Sequence, residues 1–201
     1  DTLSPTRGIG AARRWVRTEF ERISRECGGC LEVLDVAEVF EGLPRVPGPT
    51  NVVSIVAIQR GTTDPDRFVL LSGDLDSRVS DIMNAVDSSP GANDNASGVA
   101  AVLEAARVLS ARRFRGSIVY AALSGEENGL LGGQTVAALA AARGWRMTVR
   151  EVLRGIFRSR PSRRASVTAL TVRRSGREYR DPAGAPRAKR APPGGGGEDD
   201  G

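Results

Sequence analysis

The sequence predicts an α/β fold: a mixed β-sheet sandwiched between helices, incomplete at its C-terminal side and followed by a disordered tail. Three observations lead there. Apolar runs over residues 52–58 and 117–123 read as strands, the second as a buried parallel one. Between them Val99, Val102, Leu103, Ala106 and Leu109 fall at helical spacing. An Ala-rich stretch over about residues 130–142 then reads as a second helix. Strand, helix, strand, helix in that order argues for parallel neighbours, and sites in such sheets gather at the carboxyl ends of strands.

In chain order, residues 8–26 read as a helix, with Trp15, Phe20 and Ile23 as a partial apolar stripe among Arg and Glu. Leu31–Phe40 alternates and reads as a strand. Residues 42–49 form a Pro/Gly loop, 61–66 a turn, and 68–71 a short buried strand. A polar loop over 73–93 follows, long enough to mark function. Asn95 or Ser97 is placed to cap the next helix.

With 201 residues the chain holds one domain with a core, plus a tail. Residues 1–145 read as the domain and 146–201 as a basic Arg/Pro/Gly-rich tail. That tail composition buries too little apolar surface to order itself. No apolar stretch is long enough to cross a membrane. The start, Asp1-Thr2-Leu3-Ser4-Pro5, has neither a signal pattern nor an initiator Met, as expected where a leader has been removed or left out.

The net charge of +5 hides an asymmetry, because residues 144–201 carry 14 of the 29 Lys and Arg but 6 of the 24 acids. Every cation except Lys189 is Arg, a bias that GC-rich coding produces. A basic tail is compatible with anionic partners, but it lacks the interleaved aromatics of a nucleic-acid footprint. Histidine is absent, which removes the commonest metal ligand and general base. Cys27-Gly28-Gly29-Cys30 follows a helix, the wrong end for a stabilised thiolate, and supplies too few thiols for a four-Cys zinc site. Free thiols and a local disulfide both remain open.

Gly125-Glu126-Glu127-Asn128-Gly129 directly follows the buried run. Two carboxylates at the end of a buried strand are costly without a cation beside them. Asp74 and Asp76 follow another strand, and Asp94 begins a helix. In a sheet with parallel neighbours these five carboxylates share one edge and repel without a cation. Such a set fits metal-assisted hydrolysis: Asp94 suits a bridge between two ions, and Glu126 and Glu127 can divide ligation from proton transfer. Alone, the glutamate pair reads as a solvated loop; with Asp76 and Asp94 in register it reads as a metal site. Asp74 reads either as a ligand or as an exposed loop acid, and Ser77, Arg78 and residues 81–89 read as plain surface loop.

Residues 90–98, Pro-Gly-Ala-Asn-Asp-Asn-Ala-Ser-Gly, and 125–132, Gly-Glu-Glu-Asn-Gly-Leu-Leu-Gly, resemble the aminopeptidase Y-type zinc exopeptidases of the MH clan. Gly73-Asp74-Leu75-Asp76-Ser77 is similar to that family's Gly-His-x-Asp-Ser. Order and spacing agree over roughly residues 50–145. The resemblance implies a zinc-exopeptidase, phosphorylase/hydrolase-like sheet, two cocatalytic zinc ions, a peptide substrate cut near its N-terminus, and a secreted or periplasmic setting. It implies Asp94 as bridging ligand, Glu126 as general base, Glu127 as a zinc ligand and Asp76 as the aspartate supporting the first ligand. Asp74 stands where the family has histidine, and a carboxylate there makes the site harder and more negative.

The family pattern continues with an Asn-Asp pair and a later histidine. Residues 146–201 contain Asp181, Asp199 and Asp200 in non-strand contexts and no histidine, which suggests a shifted reading frame or a misjoined end. Three competing readings follow: an inactive fragment of the family, a single-zinc relative of glutaminyl-cyclase type, and a basic-tailed binding protein.

Overall fold

A computed structural model describes residues 4–84 and 86–147; the predicted tail lies outside the described residues from position 148 on. The elements run α1 (Gly8–Glu26), β1 (Leu31–Phe40), β2 (Thr50–Gln59), β3 (Asp64–Asp74), a π-helical turn (Ala92–Ala96), α2 (Ser97–Leu109), β4 (Gly116–Leu123), α3 (Leu131–Ala142) and β5 (Arg146–Met147). One mixed sheet has the order β1-β2-β4-β3-β5. The β1–β2 and β2–β4 pairs are antiparallel, whereas β3–β4 and β3–β5 are parallel. The sandwiched α/β fold expected from the sequence is therefore present. No described helix is long and apolar enough to cross a membrane.

Side-chain alternation puts a core on each face of the sheet. On one face Ile55, Ala57, Tyr120 and Ala122 pack with Val16, Phe20 and Ile23 of α1 and Val99, Val102 and Ala106 of α2. On the other, Val56, Ile58, Phe68, Val119, Ala121 and Leu123 pack with Val136 and Ala140 of α3 and with Trp145. Phe68 and Trp145 stack with ring centroids 4.5 Å apart.

Two expectations need correcting. Trp15 is not on the apolar stripe: it is 58% exposed, and Val16 is fully buried in its place. Val16, Phe20 and Ile23 sit at i, i+4 and i+7, one face of a helix, and Trp15 falls off that face. β3 is also longer than residues 68–71. Its polar start is held by Asp64 pairing with Gly116 across a bulge, and its end by Ser72, Gly73 and Asp74 pairing with Ala121, Ala122 and Leu123. The thiol question closes as a Cys27–Cys30 disulfide just past α1.

Candidate active site

Parallel register brings the predicted carboxylates to one edge. Asp74 pairs with Leu123, so the loops leaving β3 and β4 start side by side. The Leu75 N–H donates to the Leu123 carbonyl at 2.7 Å and holds that alignment for one more residue. Asp76 then reaches across: its two carboxylate oxygens accept the backbone N–H groups of Glu126 and Glu127, each at 3.1 Å. This aspartate positions the glutamate loop through its main chain.

The third loop arrives with the π-helical turn before α2. Asp94 is exposed there in a non-helical conformation, joined to Asn95 by a cis peptide bond. Asn95 is buried and faces both ways. Its Nδ2 donates to Asp74 Oδ2 at 3.2 Å, and its Oδ1 accepts the Gly98 N–H at 2.9 Å. The helix-capping role expected for Asn95 is thus joined to a contact with the candidate ligand. Ser97 instead donates to the Asn93 carbonyl.

Asp74 is buried, and Glu126 and Glu127 are half-buried. Burial pushes the Asp74 carboxyl up; the Asn95 hydrogen bond opposes this, and the charges of Asp76, Asp94 and Glu127 add to it. Glu126 is pushed up by burial first and then by Asp74, Glu127, Asp76 and Asp94. Asp76 is pushed up by burial against the N–H bonds it accepts. Glu127 is the carboxylate with a cationic partner: Arg78 Nε lies 2.7 Å from its Oε2. Arg45 Nη1 donates to the Glu127 carbonyl at 2.7 Å, while the Arg45 carbonyl accepts Asn128 Nδ2 at 2.9 Å.

Arg45 carried no sequence signal, and Arg78 read as plain surface. Their contacts join positions 49 to 83 residues apart, which no local pattern encodes. A cleft of about 770 Å³ opens beside the carboxylates, and Asp76 and Glu127 are the predicted site residues that line it.

The donor chemistry suits a cation, since clustered carboxylates bind divalent ions and repel one another without them. The arrangement is less complete. Among the described residues, no three Asp, Glu, His or Cys side chains converge closely enough to hold a metal ion. These residues fit part of a metal centre and not a whole one.

The raised carboxyls have a consequence for metal-free protein. A folded value above the unfolded one means that the fold binds extra protons between the two. The stabilisation is then complete below the ordinary 3.8 for Asp74 and 4.5 for Glu126, and is lost as pH rises through the folded values. Asp74→Asn removes one such group. With chelator present, its melting midpoint is expected to gain on wild type as pH rises from about 4 to about 7. Parallel midpoint curves for the two proteins would refute this.

Three comparisons place these loops among known proteins. The model of peptidase family M28 matches residues 52–154, a span containing all five candidate carboxylates. A probable zinc metalloprotease of Pyricularia oryzae is 45% identical over 128 residues, 64% of this chain and 26% of that protein. Another, from Leptosphaeria maculans, is 43% identical over 129 residues, 64% of this chain and 30% of that protein. The chain therefore matches less than a third of the length of these curated relatives. Among solved structures, the glutaminyl cyclase of Fimbriiglobus ruber aligns with a TM-score of 0.56 and 18% identity, over 73% of this chain and 53% of that one. The LapA aminopeptidase of Legionella pneumophila gives 0.50 and 23%, over 71% and 34%. Both structural likenesses speak to the fold alone. The family match spans just over half of the sequence and takes in every loop that brings a carboxylate to this sheet edge, and the chain belongs to peptidase family M28.

Proposed function

We propose that the chain serves zinc-dependent hydrolysis of peptide bonds near the N-terminus, the work of an aminopeptidase. The observation that carries this reading is the β3–β4 register, which sets Glu126 among Asp74, Asp76, Asp94 and Glu127. Asp74, Asp94 and Glu127 are the residues that would contribute to a metal's ligand set, of which the described residues supply only a part. A bound divalent ion would supply Lewis acidity and would lower the pKa of its water to about 7.

Glu126 does the proton work. Burial first, and then its carboxylate neighbours, raise its affinity for a proton, so it accepts one more readily than an isolated glutamate and can pass it to the leaving amine. Asp76 keeps the loop in place through two N–H groups, so Glu126 needs no ligation to be oriented. Arg78 screens Glu127 and shifts the uncompensated charge toward Asp74 and Glu126.

A second reading is favoured by the absence of three converging donors among the described residues. On it, the chain keeps the fold and binds at most one ion weakly. Zinc content of the purified chain and turnover of an aminoacyl-nitroanilide separate the two. Bound zinc with turnover supports the enzyme. Neither zinc nor turnover leaves the second reading standing. Zinc with cyclisation of an N-terminal glutamine peptide, and no hydrolysis, would replace the peptidase by a cyclase.

A further inference from the structure

The cleft beside the carboxylates is lined by groups of opposite charge, Asp76 and Glu127 from the loops leaving the sheet and Arg7 and Arg13 at the start of α1. Most of its charged groups are already matched. Asp76 accepts two backbone N–H groups, Glu127 pairs with Arg78, and Asp87 accepts Asn84 Nδ2 at 2.8 Å. Arg7 and Arg13 line the same cleft, and among the described residues neither guanidinium is hydrogen-bonded or ion-paired to a carboxylate, Asp35 acting on Arg13 only through its charge. Arg7 is exposed and Arg13 half-buried, so the pair combines an accessible and a partly desolvated guanidinium.

The geometry points to a carboxylate-binding subsite at Arg7 and Arg13, which selects short peptides bearing a negative group downstream of a free amine. The carboxylate would lie against the two arginines, with the amine directed toward the loops that carry Asp76 and Glu127. A volume of about 770 Å³ suits a small ligand of this kind. Guanidinium is the preferred cation for carboxylate because its planar fork matches two oxygens at once. Burial holds Arg13 below the ordinary arginine value, neighbouring Arg14 pushes the same way and the Asp35 charge opposes them in part, and a bound anion would add to that opposition. The inference rests on the peptidase reading for the direction in which the peptide lies, and not for its binding.

The negative group has two possible sources, an acidic side chain or the peptide's own C-terminus. Ala-Glu-Ala-amide, Ala-Gln-Ala with a free C-terminus and Ala-Gln-Ala-amide separate them by calorimetric titration. The titrations use the full chain in chelator, so neither hydrolysis nor a bound ion enters the result. At least one carboxylate peptide is expected to bind roughly 3- to 10-fold tighter than the neutral amide, the effect of two partly exposed ion pairs.

Arg7→Gln with Arg13→Gln should close that gap. Removing the same charge outside the cleft, by Arg112→Gln with Arg113→Gln, should leave it open. Equal affinity for all three peptides, or a gap that survives in the cleft variant, overturns the subsite. If the cleft variant fails to fold, wild type decides the matter: the gap must shrink as salt rises from about 0.02 M to about 0.5 M. A gap insensitive to salt overturns the inference. A chain that binds with this preference and never hydrolyses refutes the peptidase reading and keeps the subsite.

Discussion

Glu126→Gln is expected to lower kcat for an aminoacyl-nitroanilide by about 10²- to 10⁴-fold, the usual weight of a positioned general base. The amide keeps the size of the side chain and cannot accept a proton from water. KM should change little, because the amide keeps the side chain's size and Glu126 is assigned to proton transfer rather than to holding the substrate. Stability should hold or rise. Burial and four neighbouring carboxylates disfavour the charge on Glu126, and a neutral amide is free of both effects. The backbone N–H to Asp76 is untouched by the change. A fall in kcat with an unchanged or higher melting midpoint thus separates loss of a base from loss of structure. If the variant turns over within about threefold of wild type, Glu126 is not the base.

How far the sequence foretold this site depends on the kind of contact involved. The bounds of α1 and β1 were legible to the residue, because Cys27-Gly28-Gly29-Cys30 separates a stretch with helical spacing from an extended one. Asp74, Asp76, Asp94, Glu126 and Glu127 stood out because carboxylates after buried strands are rare and came in a fixed order. The structure brings the loops of all five to one sheet edge. What holds them was not legible. Asp76 meets two N–H groups about fifty positions away, and every residue has an N–H, so nothing in the local composition announces the partner.

The ends of β3 were missed for a related reason. Asp64 and Asp74 look like turn residues, yet both pair with β4, and pairing is a property of the neighbour strand. Val16 takes the buried position beside Trp15 for a different reason: one residue turns the helix by about 100°, and the i, i+4, i+7 face runs through Val16, Phe20 and Ile23 rather than through the bulkier aromatic. Cys27 and Cys30 lay between two outcomes that spacing alone does not separate, and three-dimensional proximity settled them as a disulfide.

Gly73→Ala tests whether the site depends on how closely α2 approaches β3. Gly73 precedes Asp74, and a Cβ there would lie 2.5 Å from Gly98 C and from Val99 N. Both are backbone atoms at the start of α2, so no side chain can swing aside. Helix and strand must separate, and overpacking of this kind costs about 1–3 kcal/mol. The same separation pulls Asn95 from Asp74, whose contact is only 3.2 Å long, and carries Asp94 away with it. Urea denaturation should therefore show a lower midpoint, and titration with zinc a weaker affinity wherever the parent chain binds it. Gly133→Ala is the matched control. A Cβ there meets only Leu123 Cδ1 at 4.0 Å, so the substitution should be neutral or stabilise α3 by up to about 1 kcal/mol. Opposite signs for one methyl group at two glycines would show that contact with α2 sets the site. An unchanged midpoint for Gly73→Ala would show instead that β3 and α2 have room to spare, and that the Asn95 bridge alone holds Asp74 in place.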